Sequence, residues 1–255
     1  MDKISERYVA MAEDEEKAMD CTCYDDVIRD KESEIIWNFI QYVRILVPDL
    51  KILDLGCANG YTIDRFCMPG IKWWGIDACS KMIQNAIDRQ LAGCTFAVGD
   101  AKRLEFPNGM FGAVITQRCL INIPDWSGQR EALSEIHRVL ADDGYYLMIE
   151  CFTDGLDNNN AARVECGLEP LGSSEFNTYF DKDRFCEFVK GKFVFIESTG
   201  WQYNFLSSHY FISRVLHALV TRGDQIKNTA FVKFFADYKP IGNFSPLQCH
   251  VLQRV

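Results

Sequence analysis

The chain has 255 residues, enough for one substantial core, and 48% of them are hydrophobic against 25% charged. A net charge of −9 with scattered Lys and Arg disfavours a nucleic-acid partner, which needs a basic patch. No apolar run approaches the roughly 18 residues that cross a bilayer, so no membrane insertion is expected.

The opening stretch, MDKISERYVAMAEDEEKAMD, is acidic and amphipathic, unlike a secretory signal, and a cytoplasmic protein is expected. Glu32 to Leu46 places Ile35, Ile36, Phe39, Ile40, Val43 and Leu46 on one helical face, ended by Pro48. Lys51 to Leu55 is a short apolar run stopped by Gly56, as a buried parallel strand requires. Helix and strand then alternate: a short helix over Tyr61–Phe66, a strand over Lys72–Ile76, a helix over Ser80–Leu91. Strands follow at Thr95–Val98 and Phe111–Thr116, then a helix over Gln129–Ala141 and a strand over Tyr145–Cys151. Asp142-Asp143-Gly144 reads as the turn before that last strand, with Gly144 taking the left-handed helix end.

Beyond Cys151 the pattern changes. Residues 153–178 read as a polar loop, Asp181–Val189 as a helix, Phe193–Ser198 as a strand, and 207–238 as mainly helical. Leu247–Arg254 alternates like an antiparallel strand closing the sheet edge. The fold expected is α/β: a doubly wound sheet with helices between its strands and a helical cover. Eleven cysteines show no CxxC, and their one close pair is Cys21-Thr22-Cys23. They read as small buried hydrophobes, not as a disulfide framework or a zinc site.

In such sheets ligands bind at the carboxyl ends of the strands. The first strand ends in Asp54-Leu55-Gly56-Cys57-Ala58-Asn59-Gly60. Gly56 permits a tight turn, Ala58 a close ligand approach, and Gly60 opens a helix whose N–H groups are free. A dinucleotide fingerprint would need Gly at the positions of Ala58 and Tyr61, so NAD is disfavoured. The second strand ends in Asp77, followed by Ala78. Its carboxylate suits two ribose hydroxyls, or it caps the next helix, a task Ser80 can also perform. Gly99-Asp100-Ala101 follows the third strand and suits an adenine ring.

These segments carry a resemblance. ILDLGCANG, GID, VGDAKRLEFPNGMFGAVIT and EIHRVLADDGYYLMIE, in this order over residues 50–150, resemble the class I SAM-dependent methyltransferases. The resemblance implies a Rossmann-like seven-stranded sheet with its last strand antiparallel and S-adenosyl-L-methionine (SAM) as cofactor. It implies that the Gly56–Gly60 loop, with Asp54, Cys57 and Ala58, holds the methionine end. Asp77 and Ala78 would meet the ribose, Asp100 and Ala101 the adenine. Thr116, Gln117 and Arg118 would face the methionine and sulfonium. Ala58 departs from the more usual Gly. One domain over 1–255 is expected, with a helical cover (1–48), a SAM-binding core (50–151), and an acceptor-binding cover with closing strands (152–255).

Methyl transfer to an alcohol is helped by a general base. Glu150, at the end of the fifth strand, and His209, at a helix start, are the catalytic candidates. Arg118 suits an acceptor carboxylate or phosphate, or a salt bridge to a local acid. The amide-rich run Asp154–Asn160, with Asn158 in it, suits a hydroxyl-rich acceptor, or is a solvated turn. Arg163, Tyr179 and Tyr210 would complete that pocket. The later segments resemble small bacterial methyltransferases linked to cell-surface sugar synthesis. The expected acceptor is a small molecule, with a sugar hydroxyl first and an amine or carboxylate as alternatives. A non-catalytic SAM-binding protein is a further alternative. The strand ends Thr116-Gln117-Arg118 and Glu150-Cys151-Phe152 lack the acids of a magnesium-dependent site, so no metal is expected. A monomer or homodimer is expected.

Overall fold

A computed structural model describes residues 3–14, 23, 25–173, 175–198, 200–221 and 228–255. Cys21 of the close cysteine pair lies outside the described residues, and Cys23 is buried.

The chain runs α1 (Lys3–Glu13), α2 (Asp26–Leu46), β1 (Lys51–Leu55), α3 (Tyr61–Phe66), β2 (Lys72–Asp77), α4 (Ser80–Asp88), β3 (Cys94–Val98) and β4 (Phe111–Gln117). A 3-10 turn at Leu120–Asn122 leads to α5 (Trp126–Val139), β5 (Leu140–Cys151), α6 (Thr153–Glu165), α7 (Lys182–Val189) and β6 (Phe193–Phe195). Next come α8 (Ser207–Phe211), a π-helical turn at Ile212–Leu216, α9 (His217–Thr221), α10 (Ala230–Phe235) and β7 (Leu247–Arg254).

The seven strands form one sheet in the order β3-β2-β1-β4-β5-β7-β6, parallel from β3 to β5, with β7 antiparallel between β5 and β6. Chain direction across the sheet reverses between β1 and β4, which opens a crevice at the carboxyl ends of those strands. The expected α/β sheet is present, with β7 antiparallel. One detail is corrected: β7 does not close the edge, because β6 pairs outside it.

The core follows the apolar spacing. Ile35, Ile36, Phe39, Ile40 and Val43 of α2 are buried, as are Ala132, Leu133, Ile136 and Val139 of α5. Asp25 caps α2 by accepting from the Ile28 N–H at 3.1 Å, so that helix begins six residues before Glu32. Leu46 and Ile87 are nearly half exposed, because their helices end beside them. The left-handed residue at the expected turn is Asp143 (φ 61°), not Gly144, and it lies within β5. A register shift against Phe111 and Ala113 takes 141–144 into the strand as an irregularity.

The largest departure is α6, which occupies part of the expected loop. Its asparagines tie it down: Asn158 Nδ2 donates to Asn243 O (3.0 Å), Asn159 Nδ2 to Phe244 O (2.9 Å), and Asn160 Nδ2 to Leu171 O (3.0 Å). Tertiary partners thus override the low helix propensity of Asn.

Candidate active site

A cavity of about 730 Å³ opens at the topological switch, a volume suited to a cofactor-sized ligand. Its walls carry the loop after β1 (Gly56, Ala58), the tips of β2 (Asp77, Ala78) and β3 (Asp100, Ala101), and the end of β4 (Gln117, Arg118). Eight of the expected cofactor and acceptor residues therefore meet in one hollow. Helix α1 completes the wall with Arg7 and Tyr8, and Asn122 and Asn177 stand near the β4 end.

The loop geometry is set by backbone constraints. Gly56 is left-handed (φ 81°), and a Cβ there would lie 2.4 Å from Cys119 Sγ. Ala58 is also left-handed (φ 46°), a conformation that costs an L residue energy and explains why glycine is commoner there. Asp77 holds this loop: Oδ2 accepts from the Ala58 N–H at 2.9 Å, and Oδ1 from the Cys79 N–H at 2.8 Å. Ser80 supplies no cap to α4, so Asp77 serves both the loop and the helix entry. Burial pushes the Asp77 carboxyl upward, and those two N–H groups oppose the shift. Gly60 (φ 75°) is absent from the cavity wall; a Cβ there would press on Ala86 and Phe96, so packing requires it. Cys57 lines a smaller adjoining recess of about 30 Å³, with Asp54, Thr62, Gln117 and Arg118. Its thiol packs against Gly75.

Asp54 is 3% exposed, and its Oδ2 has no hydrogen-bond partner. Burial, with the Asp77 charge nearby, pushes its carboxyl up to about 7. A buried acid with an orphan oxygen beside a cofactor-sized cavity is completed by a cationic ligand group. The α-ammonium of SAM is such a group, and Asp77 and Asp100 offer acceptors where its ribose and adenine would lie. The residues present therefore fit SAM.

At the end of β4, Gln117 Nε2 donates to Glu32 Oε2 (2.7 Å), and Gln117 Oε1 accepts from Thr62 Oγ1 (3.2 Å). Arg118, left-handed at φ 52°, pairs its Nε with Glu32 Oε1 at 3.1 Å. The salt-bridge alternative for Arg118 is thus realised, on a side chain that still lines the cavity. Asn122 Nδ2 donates to the Tyr8 hydroxyl (3.3 Å), and Asn177 Nδ2 to Asn122 Oδ1 (3.0 Å). Burial raises the Tyr8 phenol above its ordinary value, against the lowering pull of Arg7 and Arg118. Arg7, Tyr8, Glu32, Asn122 and Asn177 escaped sequence reasoning. Only α1 had a signal, its amphipathic pattern, and no motif spacing marks the others.

Several expectations are corrected. Glu150 does not face the cavity. Fully buried, it accepts from the N–H groups of Cys119 (3.0 Å), Leu120 (3.0 Å) and Ile121 (3.2 Å), and so anchors the 3-10 turn. Burial holds its carboxyl up to about 7 against those donors. His209 is 2% exposed, outside the cavity wall, and neither ring nitrogen has a partner. Burial, then the nearby Arg214, pulls its imidazole down to about 4. Arg163 is buried away from the cavity; its Nε donates to Glu169 O at 2.7 Å and its Nη1 to Arg214 O. Asn158 binds the backbone of Asn243. Tyr179 and Tyr210 pack against the hydrophobic core, with Arg214 over the Tyr210 ring at 4.5 Å. Thr116 is buried with its hydroxyl 2.8 Å from the Tyr146 hydroxyl. Among the described residues, no group of three or more His, Cys, Asp or Glu side chains could hold a metal ion, and no helix is long and apolar enough to cross a membrane.

Comparison with known proteins agrees with this geometry. Residues 52–144 match the family described as "Methyltransferase domain". A malonyl-[acyl-carrier protein] O-methyltransferase of Erwinia pyrifoliae is 31% identical over 46% of this chain and 44% of its own length. The uncharacterized methyltransferase YcgJ of Bacillus subtilis is 30% identical over 39% of this chain and 40% of its own. The chain thus spans less than half the length of these curated relatives. The N-methyltransferase NodS of Bradyrhizobium japonicum, solved with S-adenosyl-L-homocysteine (SAH), covers 99% of both chains at a TM-score of 0.60 and 10% identity, a likeness of fold. Residues 52–144, which match the methyltransferase domain, run from β1 into β5 and include the strand ends that wall the cavity.

Proposed function

We propose that this chain transfers the methyl group of SAM to a small polar acceptor. The supporting observation is one cavity into which Gly56, Asp77, Asp100 and Gln117 all converge, beside the orphan oxygen of Asp54. SAM supplies a methyl group on a sulfonium, whose departure leaves a neutral thioether.

The protein's part is positioning. Asp77 fixes the Ala58 loop and so the wall on which the cofactor lies. Gln117, held between Thr62 and Glu32, keeps a fixed amide orientation at the β4 end. Tyr8 and Asn122 bring α1 across the same end, which narrows solvent access and orients an acceptor. The amides of Asn122 and Asn177 and the Tyr8 phenol can hydrogen-bond a hydroxylated acceptor, in keeping with the sugar reading. A carboxylate acceptor is equally compatible, because the cavity wall also carries Arg7 and Arg118.

Isothermal titration with SAH and with NAD tests the proposal. SAH binding in the micromolar range or tighter, with no NAD binding, is the expected result. NAD binding without SAH binding would sink it.

A further inference from the structure

Catalysis on a hydroxyl is helped by a side chain that takes its proton. Among the described residues lining the cavity there is no imidazole and no glutamate. The two carboxylates on the wall, Asp77 and Asp100, sit at the tips of β2 and β3, each already accepting backbone N–H groups. Glu32 is fully buried behind Arg118. Burial keeps the Cys119 thiol well above its ordinary range, and the Tyr8 phenol is raised as well, so neither is a ready proton acceptor. What the β4 end does present is cationic and hydrogen-bonding: Arg7, Arg118, Tyr8, Asn122 and Asn177. Arg118 is paired with Glu32 and Lys102 with Asp100 (3.6 Å), and Arg7, whose guanidinium also lies 5.5 Å from the Phe176 ring centroid, is the third cation of the wall.

We infer that the acceptor atom is a carboxylate oxygen, on a small acid held by Arg7 and Arg118. The inference rests on the methyl-transfer reading and narrows its acceptor. A carboxylate is unprotonated at neutral pH, so it needs no base. Its oxygen forms the new C–O bond to the methyl carbon while the C–S electron pair passes to sulfur. A methyl ester and SAH result, no proton moves, and one negative and one positive charge disappear. That neutralisation is favoured in a cavity sheltered from water. Each carboxylate oxygen has two lone pairs, so a guanidinium can hold the acceptor and leave a lone pair for attack. Asn122 and Asn177 then suit hydroxyls elsewhere on the same acid, and a hydroxylated carboxylic acid is the matching class.

The test uses the full chain, SAM labelled in its methyl group, and two panels: small mono-, di- and hydroxycarboxylic acids including sugar acids, and neutral sugars with amines. Mild alkali converts a methyl ester to volatile methanol and leaves ethers and methylamines intact. The expected result is alkali-volatile label from the acid panel only. In Arg7→Gln the acceptor KM should rise about tenfold, with SAH affinity retained. Alkali-stable label on a sugar or an amine overturns the inference, as does SAH binding with no ester formed from any acid; both leave the methyltransferase reading standing. Failure to bind SAH overturns both.

Discussion

The Glu32 carboxylate of α2 lies 3.1 Å from the Arg118 guanidinium that follows β4. The same carboxylate takes the Gln117 amide N–H at 2.7 Å, so one buried acid on the cover helix fixes two consecutive residues of the cavity wall.

Removing that charge isolates Arg118. Glu32→Gln keeps the shape and loses the ion pair, and the Gln117 amide then faces another amide. Leaving one member of a buried pair unpaired costs about 3–5 kcal/mol, less here because Arg118 is partly solvated. The expected outcome is a lower melting temperature together with weaker SAH binding, the latter through the Gln117 amide that Glu32 orients on the cavity wall. 5′-Methylthioadenosine, which lacks the amino-acid end, should bind as it does to the wild-type chain. Equal loss for both ligands would show that Glu32 serves stability alone.

Asp77 carries a second prediction. Asp77→Ala removes the acceptor proposed for the ribose and also frees the Ala58 and Cys79 N–H groups. SAH affinity should fall by at least roughly 1.5–3 kcal/mol, the scale of a hydrogen bond to a charged group. Calorimetry measures it, and an unchanged dissociation constant would take Asp77 out of the site.

The Asp54 carboxyl, raised to about 7 by burial and by Asp77, links binding to pH. Its ordinary value is 3.8, so the free protein holds this proton through mildly acidic pH. A bound ammonium favours the ionised form, and binding then expels the proton below about pH 7. SAH affinity should therefore weaken as pH falls from about 8 to 6, and the binding heat should depend on the ionisation enthalpy of the buffer. Asp54→Asn should flatten both trends. A pH-independent wild-type affinity would remove Asp54 from contact with the ligand.

What the chain discloses before folding depends on where the specifying information sits. The strands β1, β2 and β4 were legible because buried parallel strands are continuous apolar runs, Gly56 and Asp77 because they end β1 and β2, and Asp100 because it follows β3 in Gly99-Asp100-Ala101. Glu150 misled because strand-end position says nothing of which way a carboxylate turns, and its turn is set by the 3-10 segment thirty residues upstream. Helix α6 was hidden because its asparagines bond to residues 171, 243 and 244, contacts that no local period encodes.

Helix α6 gives a fourth prediction. In an isolated helix Gly→Ala stabilises by about 1 kcal/mol. A Cβ on Gly155, however, would stand 1.9 Å from Ser245 O and 2.5 Å from its carbonyl carbon. Backbone cannot swing aside as a side chain can, so the sign inverts. Gly155→Ala should destabilise by roughly 1–3 kcal/mol, the usual cost of overpacking. Urea unfolding measures it, and a stabilised variant would mean that α6 does not dock on the 244–246 segment.

His209 gives the last prediction, one that separates a buried structural imidazole from a catalytic one. Burial and Arg214 hold it near 4, against 6.5 for the ordinary group. At pH 7 the ring is mostly neutral in both the folded and unfolded chains and contributes little pH dependence. As pH falls below 6.5 the unfolded chain takes up this proton and the folded chain does not, so stability is lost progressively down to about 4. The full loss is on the order of 3 kcal/mol, and His209→Gln should be spared it. The carboxyls of Asp54 and Glu150 act in the opposite direction over an overlapping range. They are common to both proteins, so they cancel in the difference between the two unfolding profiles. Urea unfolding at pH 7, 5.5 and 4.5 should show the variant gaining on the wild type at each acidic step. SAH affinity at pH 7.5 should not change, since His209 does not line the cavity. Parallel unfolding profiles would show that the imidazole titrates freely in the folded chain, and a loss of SAH binding would bring it back to the site.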